Sequence, residues 1–449
     1  MRLVTALVLV AGCGQTPHHV APPPAAPPAS PHRAAVTAEV QPMIDNELAS
    51  AIVIGLYDGG KTETYGFGPS HPDGRTLFEL GAVTKVYTSL LFADSVQRRE
   101  VGLDQPVAEL LPTGVSVPTK DGVAITLGQL ALHSSGLPRV PPSVLPNAPD
   151  PYAHYTEDTL YADLAHAQLE STPGTQITYS NWGAGLLGFA LGRKLVVGYE
   201  RILADRILRP LGLTDTYFTV PPAAAARRVV GTNGELARVP YWTWDALAPA
   251  GGLVSDAHDQ LALIAAELEA AAGSKLPLRP AMHFTQEPQM ANSPVNEGYG
   301  WQIDAKGRYW HNGGTGGFHA FIGFDPKTHR GIVILSATSL QTLDRLVEPL
   351  YDILDGKPVT PPTYPTPADL AQLAGHYDFQ GSKIELRPDG KRLYVEGPGE
   401  PPIRLIPLSP RDFWIEQLQS IASFEPRDGK ATRITFQIGE HQLTATRND

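Results

Sequence analysis

Two proline tracts divide this 449-residue chain. Proline has no backbone N–H and clashes inside a helix, so neither tract can run through the middle of a regular element. The first, residues 14–34 (GQTPHHVAPPPAAPPASPHRA), holds seven prolines and almost no large apolar side chain. It reads as an extended, partly polyproline spacer with no core of its own. His18 and His19 fall in it and read as incidental neighbours rather than metal ligands. The second, residues 357–367 (KPVTPPTYPTP), cuts off the C-terminal part. The expected organisation is a spacer at 14–35, a main domain at 36–356, a linker at 357–367 and a small domain at 368–449.

Ahead of the spacer stand Arg2, an apolar run from Leu3 to Val10, and two small residues before Cys13. The run is too short to cross a bilayer as a helix, so residues 1–13 read as an export signal. Val10-Ala11-Gly12-Cys13 resembles the lipobox of bacterial lipoproteins. That resemblance implies lipidation of Cys13 and an exported protein anchored in a membrane of the cell envelope, held off the surface by the spacer. Cys13 is the sole cysteine, which excludes an intrachain disulfide and any CxxC site. Lys and Arg number 35 against 46 Asp and Glu, for a net charge of -11, and no basic run is present. This composition argues against a nucleic-acid partner, which needs clustered cations to track phosphates.

Between the tracts the pattern runs strands, helices, strands. Ala51–Tyr57 and Thr62–Phe67 flank Asp58-Gly59-Gly60, a hairpin signal. Helical periodicity follows over Val83–Arg98, with Val86, Leu90, Leu91, Ala93 and Val96 on the apolar stripe, and then over 127–132, 182–196, 201–208 and 256–271. Strand-like runs return at 299–303, 309–310, 320–324 and 331–336 before a helical 343–354. The order predicts an α+β domain whose two ends complete one antiparallel sheet, flanked by helices and carrying a helical subdomain. The C-terminal part alternates apolar and polar at Ile384/Leu386, Leu393/Val395, Ile403/Leu405 and Ile434/Phe436/Ile438, with turns at Asp389-Gly390 and Asp428-Gly429. A small all-β barrel or sandwich is expected there.

Acyl transfer through a serine needs a nucleophile at a rigid helix start, a base beside it and backbone donors for the oxyanion. Ser-x-x-Lys meets the first two needs, because spacing i, i+3 sets the ammonium one turn from the hydroxyl on the same face. Here the run is Phe78-Glu79-Leu80-Gly81-Ala82-Val83-Thr84-Lys85. It resembles the serine β-lactamase and penicillin-binding-protein superfamily, in its class C-like branch of lactamases, DD-peptidases and carboxylesterases, where the run reads F-E-x-G-S-x-T/S-K. Ala82 stands where that branch has its nucleophilic serine. Tyr179-Ser180-Asn181 is similar to the Tyr-x-Asn motif and His311-Asn312-Gly313 to the Lys-Thr-Gly triplet in its His-x-Gly form. The resemblance implies that Lys85 and Tyr179 handle protons and that Asn181, His311 and Gly313 meet substrate. It also implies an oxyanion hole formed by the N–H groups of Ala82 and Gly314. Secondary matches at 133–138, 210–216, 250–255 and 298–301 fall in family order across nearly all of residues 36–356. The small domain resembles the lipocalin-like barrel that follows many such hydrolases, with Gly375-His376-Tyr377 at its start and 444–447 at its close.

The expected ligand is a small molecule or peptide: a D-Ala-D-Ala-like peptide, a β-lactam, or a small ester or amide. No metal or organic cofactor is implied. Alanine cannot form an acyl-enzyme. Thr84 lies roughly 200° around the helix from Ala82, and Ser135 and Ser180 lack the helix-start placement. Three accounts of Ala82 stand open: a pseudoenzyme that binds family ligands and senses cell-wall peptides; an engineered nucleophile-minus variant of an active hydrolase; and a non-covalent route in which Lys85 and Tyr179 activate water. Tyr241, Trp242 and Trp244 fall in a segment that, by the same resemblance, would roof the cleft, and that packing alone explains as well.

Overall fold

A computed structural model describes residues 30–273, 275–289 and 296–449. The export signal with Cys13, and spacer residues 14–29 with His18 and His19, lie outside the described residues. The first helix, α1 (Arg33–Asp45), buries Val36, Val40 and Met43 at i, i+4, i+7 spacing. Residues 33–35 are therefore its first turn rather than spacer. Strands β1 (Ile52–Asp58) and β2 (Lys61–Phe67) form the expected hairpin. After β3 (Phe78–Glu79), a 3-10 turn at Gly81–Val83 leads into α2 (Thr84–Gln97). A helical region follows, beginning with the small ribbon β4 (Thr119–Lys120) and β5 (Val123–Ala124). It continues with α3 (Leu127–Ala131), α4 (Glu157–His166) and α5 (Asn181–Lys194), then α6 (Tyr199–Leu203), which runs on as a π turn to Leu208. Next come α7 (Ala248–Gly251), β6 (Val254–Ser255) paired with β3, α8 (Ala257–Ala271) and α9 (Arg279–Gln286).

The chain then returns to the sheet with β7 (Asn296–Glu297), β8 (Gln302–Ile303), β9 (Tyr309–Gly314), β10 (His319–Asp325) and β11 (Arg330–Ser336), and closes with α10 (Val347–Leu354). Among the described residues the sheet order is β2-β1-β11-β10-β9-β8-β7, so both ends of the domain meet at the β1–β11 pair, Ile54 opposite Ile334. β1 and β11 are buried almost throughout because both sheet faces are covered. Alternation sends Val53, Val333 and Leu335 into one core with α8, and Ile54, Ile332 and Ile334 into a second core with α1 and α10. The predicted strand at 299–303 is shorter than expected. Tyr299 instead stacks on Phe284, with ring centroids 4.9 Å apart, and Gly300 turns the chain at φ 79°.

After α11 (Pro367–Leu373) come β12 (Gly375–Phe379), β13 (Ser382–Asp389), β14 (Arg392–Glu396), β15 (Ile403–Pro407), β16 (Asp412–Ile415), β17 (Ser420–Glu425), β18 (Arg433–Ile438) and β19 (His441–Arg447). They form a closed antiparallel barrel, sealed where Tyr377 of β12 pairs with Arg447 of β19. Leu386, Leu393, Leu405, Phe413, Phe424 and Ile434 fill its interior. Residues 32–449 form one compact unit. The linker is part of it: Val359 and Tyr364 pack on the second core, and Pro367 already opens α11. Ile406 of β15 enters the same core, and the buried Arg404 donates to Gly234 O (2.6 Å) and Glu47 O (2.8 Å). The barrel is thus fixed against the α+β part.

Candidate functional site

The site forms where α2 begins. Gly81 has φ 51°, a left-handed conformation that glycine takes without penalty, and this bend brings the next residues against the end of β9. The approach is so close that a Cβ on Gly313 would lie 2.5 Å from Ala82 N, and one on Gly81 would lie 2.7 Å from Gly314 N. Both glycines are needed to set the backbones of Ala82 and Gly314 side by side, and both residues line one cleft of about 540 Å³. Tyr179, Asn181, Asn312 and Gly313 line it as well.

Lys85 lies below the cleft floor, 2% exposed. α2 is buried on nearly every side because it runs through the middle of the domain, so the lysine that a solvated helix would expose is enclosed. Its Nζ donates to Asn181 Oδ1 (2.8 Å) and Ala250 O (2.7 Å) and stands 4.9 Å from the centre of the Tyr179 ring. Burial, reinforced by the Arg139 charge, pushes the ammonium well below the usual lysine range. Asn181 is the first residue of α5, and its Nδ2 donates to Tyr152 Oη (2.9 Å), whose ring stacks on Trp244 at 4.1 Å. One asparagine thus links the buried amine to the aromatic wall.

Tyr179 packs between the His133 ring, 4.6 Å away, and the Arg139 guanidinium, 5.0 Å from its centre. Burial raises its phenol above the ordinary value, so it is a neutral donor at physiological pH. His311 is placed differently from the expectation of a ligand contact. It is 3% exposed and is not part of the cleft lining, because alternation along β9 turns its side chain under the sheet edge while Asn312 faces the cleft. Its Nδ1–H donates to Asn312 O (2.6 Å), and burial together with Lys85 pushes its pKa down to about 3. The imidazole is neutral, held so by burial and by the nearby Lys85 charge.

The three alternative hydroxyls are committed elsewhere. Thr84 Oγ1 accepts from Leu253 N (3.1 Å), and Ser135 Oγ accepts from Leu137 N (3.3 Å). Ser180 caps α5, accepting from Gly183 N (2.9 Å) while donating to Pro138 O (2.7 Å). Trp242 and Trp244 do line the cleft, whereas Tyr241 packs on Phe318 and under Arg228. Sequence reasoning passed over Arg139, Tyr152, His319 and the barrel residue Glu416, all of which line the cleft. Among the described residues no group of three or more His, Cys, Asp or Glu side chains is arranged to hold a metal ion.

The family model described as Beta-lactamase matches residues 36–355. The chain belongs to this family. Within it, a 192-residue stretch is 30% identical to the D-alanyl-D-alanine-carboxypeptidase/endopeptidase AmpH of Escherichia coli (strain K12), covering 41% of this chain. That match spans about half of AmpH, 50% of its length. A Beta-lactamase of Pseudomonas fluorescens is 23% identical over 356 residues, covering 70% of this chain and 96% of that protein. Penicillin-binding protein 4 of Amycolatopsis lactamdurans is 27% identical over 332 residues, covering 68% and 85%. A class C beta-lactamase structure superposes with a TM-score of 0.63 at 22% identity, over 73% of this chain and 97% of its own. The scaffold is that of a β-lactamase-like and penicillin-binding-protein-like serine hydrolase, followed by an eight-stranded barrel.

Proposed function

We propose that this member of the Beta-lactamase family, as its sequence stands, binds small acyl ligands of the peptide, β-lactam or ester class without forming an acyl-enzyme. One observation carries the reading. The cleft holds Ala82 at the start of α2, and Lys85, Tyr179 and Asn181 are set around it in an ordered polar frame. An alanine methyl cannot attack a carbonyl, so the frame is left to hold and orient a ligand. The backbone N–H groups of Ala82 and Gly314 would receive the carbonyl oxygen, Asn181 would meet an amide, and the Tyr179 phenol would donate to the far side. The names of the relatives, a carboxypeptidase/endopeptidase, β-lactamases and a penicillin-binding protein, support that ligand class.

The frame fits equally an active hydrolase whose serine has been exchanged for alanine, and restoring the serine is informative in both cases. Equilibrium binding tests the reading. Calorimetry with benzylpenicillin and with N-acetyl-D-alanyl-D-alanine should show saturable binding, and chromatography should recover both ligands intact. Turnover by the Ala82 protein, retained when Lys85 and Tyr179 are substituted, would contradict it. We place the protein outside the cytoplasm, tethered through Cys13, on the strength of the lipobox-like sequence. Cys13→Ala should then move it from the membrane fraction to the soluble fraction, and unchanged sedimentation with membranes would contradict the tether.

A further inference from the structure

The cleft has two walls of different origin. Nearly all of its lining comes from the α+β domain, but Glu416 belongs to the barrel, in the short 3-10 turn between β16 and β17. Among the described residues that line it, only Arg139 and Glu416 are Lys, Arg, Asp or Glu. They form no ion pair with each other, and neither has an oppositely charged partner among the described residues. Arg139 is spent on the face of Tyr179, near the reaction centre. Glu416 is half-buried, and Trp414 Nε1 donates to its Oε2 at 2.6 Å, leaving the other carboxylate oxygen for the cleft.

The mount of this carboxylate is rigid. Trp414 itself packs on the second core of the α+β part, beside Ile406. Arg404 and the Arg392–Glu47 pair, at 2.7 Å, tie the neighbouring strands to residues 47 and 234. Past Gln341 the cleft continues as a groove of about 580 Å³ between the barrel and the α+β domain, lined by Trp414 and Ile421. Of the groove's own charges, Asp412 is paired with Arg427, while Arg345 reaches only Leu408 O, at 3.4 Å, and keeps its positive charge. A ligand anchored near Ala82 therefore has room to extend toward the barrel, and the unpaired charge that the barrel itself sets in the cleft lining, Glu416, is negative.

A partly desolvated carboxylate with a free oxygen favours an opposite charge and repels a like one. We propose that the barrel supplies the specificity-determining residue of this cleft, Glu416, and that it selects short peptides or amides carrying a free ammonium group. This deepens the ligand-binding reading above and rests on it.

The test compares D-alanyl-D-alanine, which has a free amine, with its N-acetyl form, using calorimetry on the full chain, on Glu416→Gln and on Glu416→Lys. A charge-assisted contact in a half-buried setting corresponds to roughly tenfold in affinity. The unsubstituted chain should prefer the free-amine form by about tenfold. Glu416→Gln should bring the ratio near one by weakening that form alone, and Glu416→Lys should reverse it. A glutamine oxygen can still accept from Trp414, so the fold is retained and circular dichroism should be unchanged. Binding of both dipeptides at a ratio near one in the unsubstituted chain, or an unchanged ratio in Glu416→Gln, would overturn the proposal alone. Binding of neither would overturn it together with the reading on which it rests.

Discussion

The α+β cleft and the C-terminal barrel solve opposite problems. In the α+β domain, ionisable groups are buried and held by neutral partners: Lys85 beneath the cleft by Asn181 and Ala250, and Glu267 of α8 by Gln286. Inside the barrel the buried side chains are mostly apolar, with Phe413 and Phe424 edge to face at 5.5 Å, and pairs such as Arg433–Glu425 lie outside in solvent. Burying polar groups costs stability unless each finds a partner, so a frame kept in this state is shaped for a ligand. A small barrel filled by its own side chains offers its function on the outside, which is where Glu416 stands.

Four substitutions probe this contrast. The largest effect is expected in the barrel, where Phe424→Ala opens a cavity in the packed interior and should cost about 4 kcal/mol in urea unfolding. A loss under about 1 kcal/mol would mean that the barrel is not held by apolar packing. In the cleft, Lys85→Ala strands Asn181 Oδ1 and Ala250 O and leaves a void, for a loss of about 3 kcal/mol. If that variant were as stable as the unsubstituted chain, the frame would be strained rather than satisfied.

The third substitution is read through pH. Burial raises the Glu267 carboxyl from 4.5 to about 8, so the folded chain keeps a proton that the unfolded chain has lost. Its contribution is complete below the unfolded value and is lost as pH rises through about 8, with a slope of at most about 1.4 kcal/mol per pH unit. Glu267→Gln should therefore gain stability relative to the unsubstituted chain between pH 5 and pH 9, in paired urea titrations. A constant difference across that range would place the proton elsewhere. The smallest effect is Arg433→Ala on the barrel surface, expected within about 0.5 kcal/mol in the same assay because exposed pairs are screened by solvent.

What could be read from the sequence was whatever is local. The α2 stripe, the β1–β2 hairpin with its glycines and the alternation of β13, β14 and β18 all follow from neighbours in the chain. Helix α1 was masked by the proline tract before it and by Pro42 inside it. Helix α9 has a proline, Pro280, as its second residue, and α4 is short and buries only three residues. Strands β16 and β17 are joined through a 3-10 turn without glycine, so no hairpin signal marks them. The motif residues were legible one by one, but their surroundings were not. Lys85 finds its partners 96 and 165 residues away, and its burial depends on α2 being enclosed on all sides. His311 was expected at the ligand and lies behind it, because the sequence gives strand alternation but not which phase faces the cleft. Glu416 could not be found at all without the docking of the barrel, which depends on Arg404, Ile406 and Trp414 together.

The central claim is that the polar frame is complete and lacks only the attacking oxygen. Ala82→Ser tests it most directly, with covalent labelling by a fluorescent penicillin followed over time in a denaturing gel. The account predicts no label on the Ala82 protein, a stoichiometric label on Ala82→Ser, and loss of that label when Lys85→Ala is added. An Ala82→Ser protein that folds normally, binds benzylpenicillin and still takes no label would contradict it.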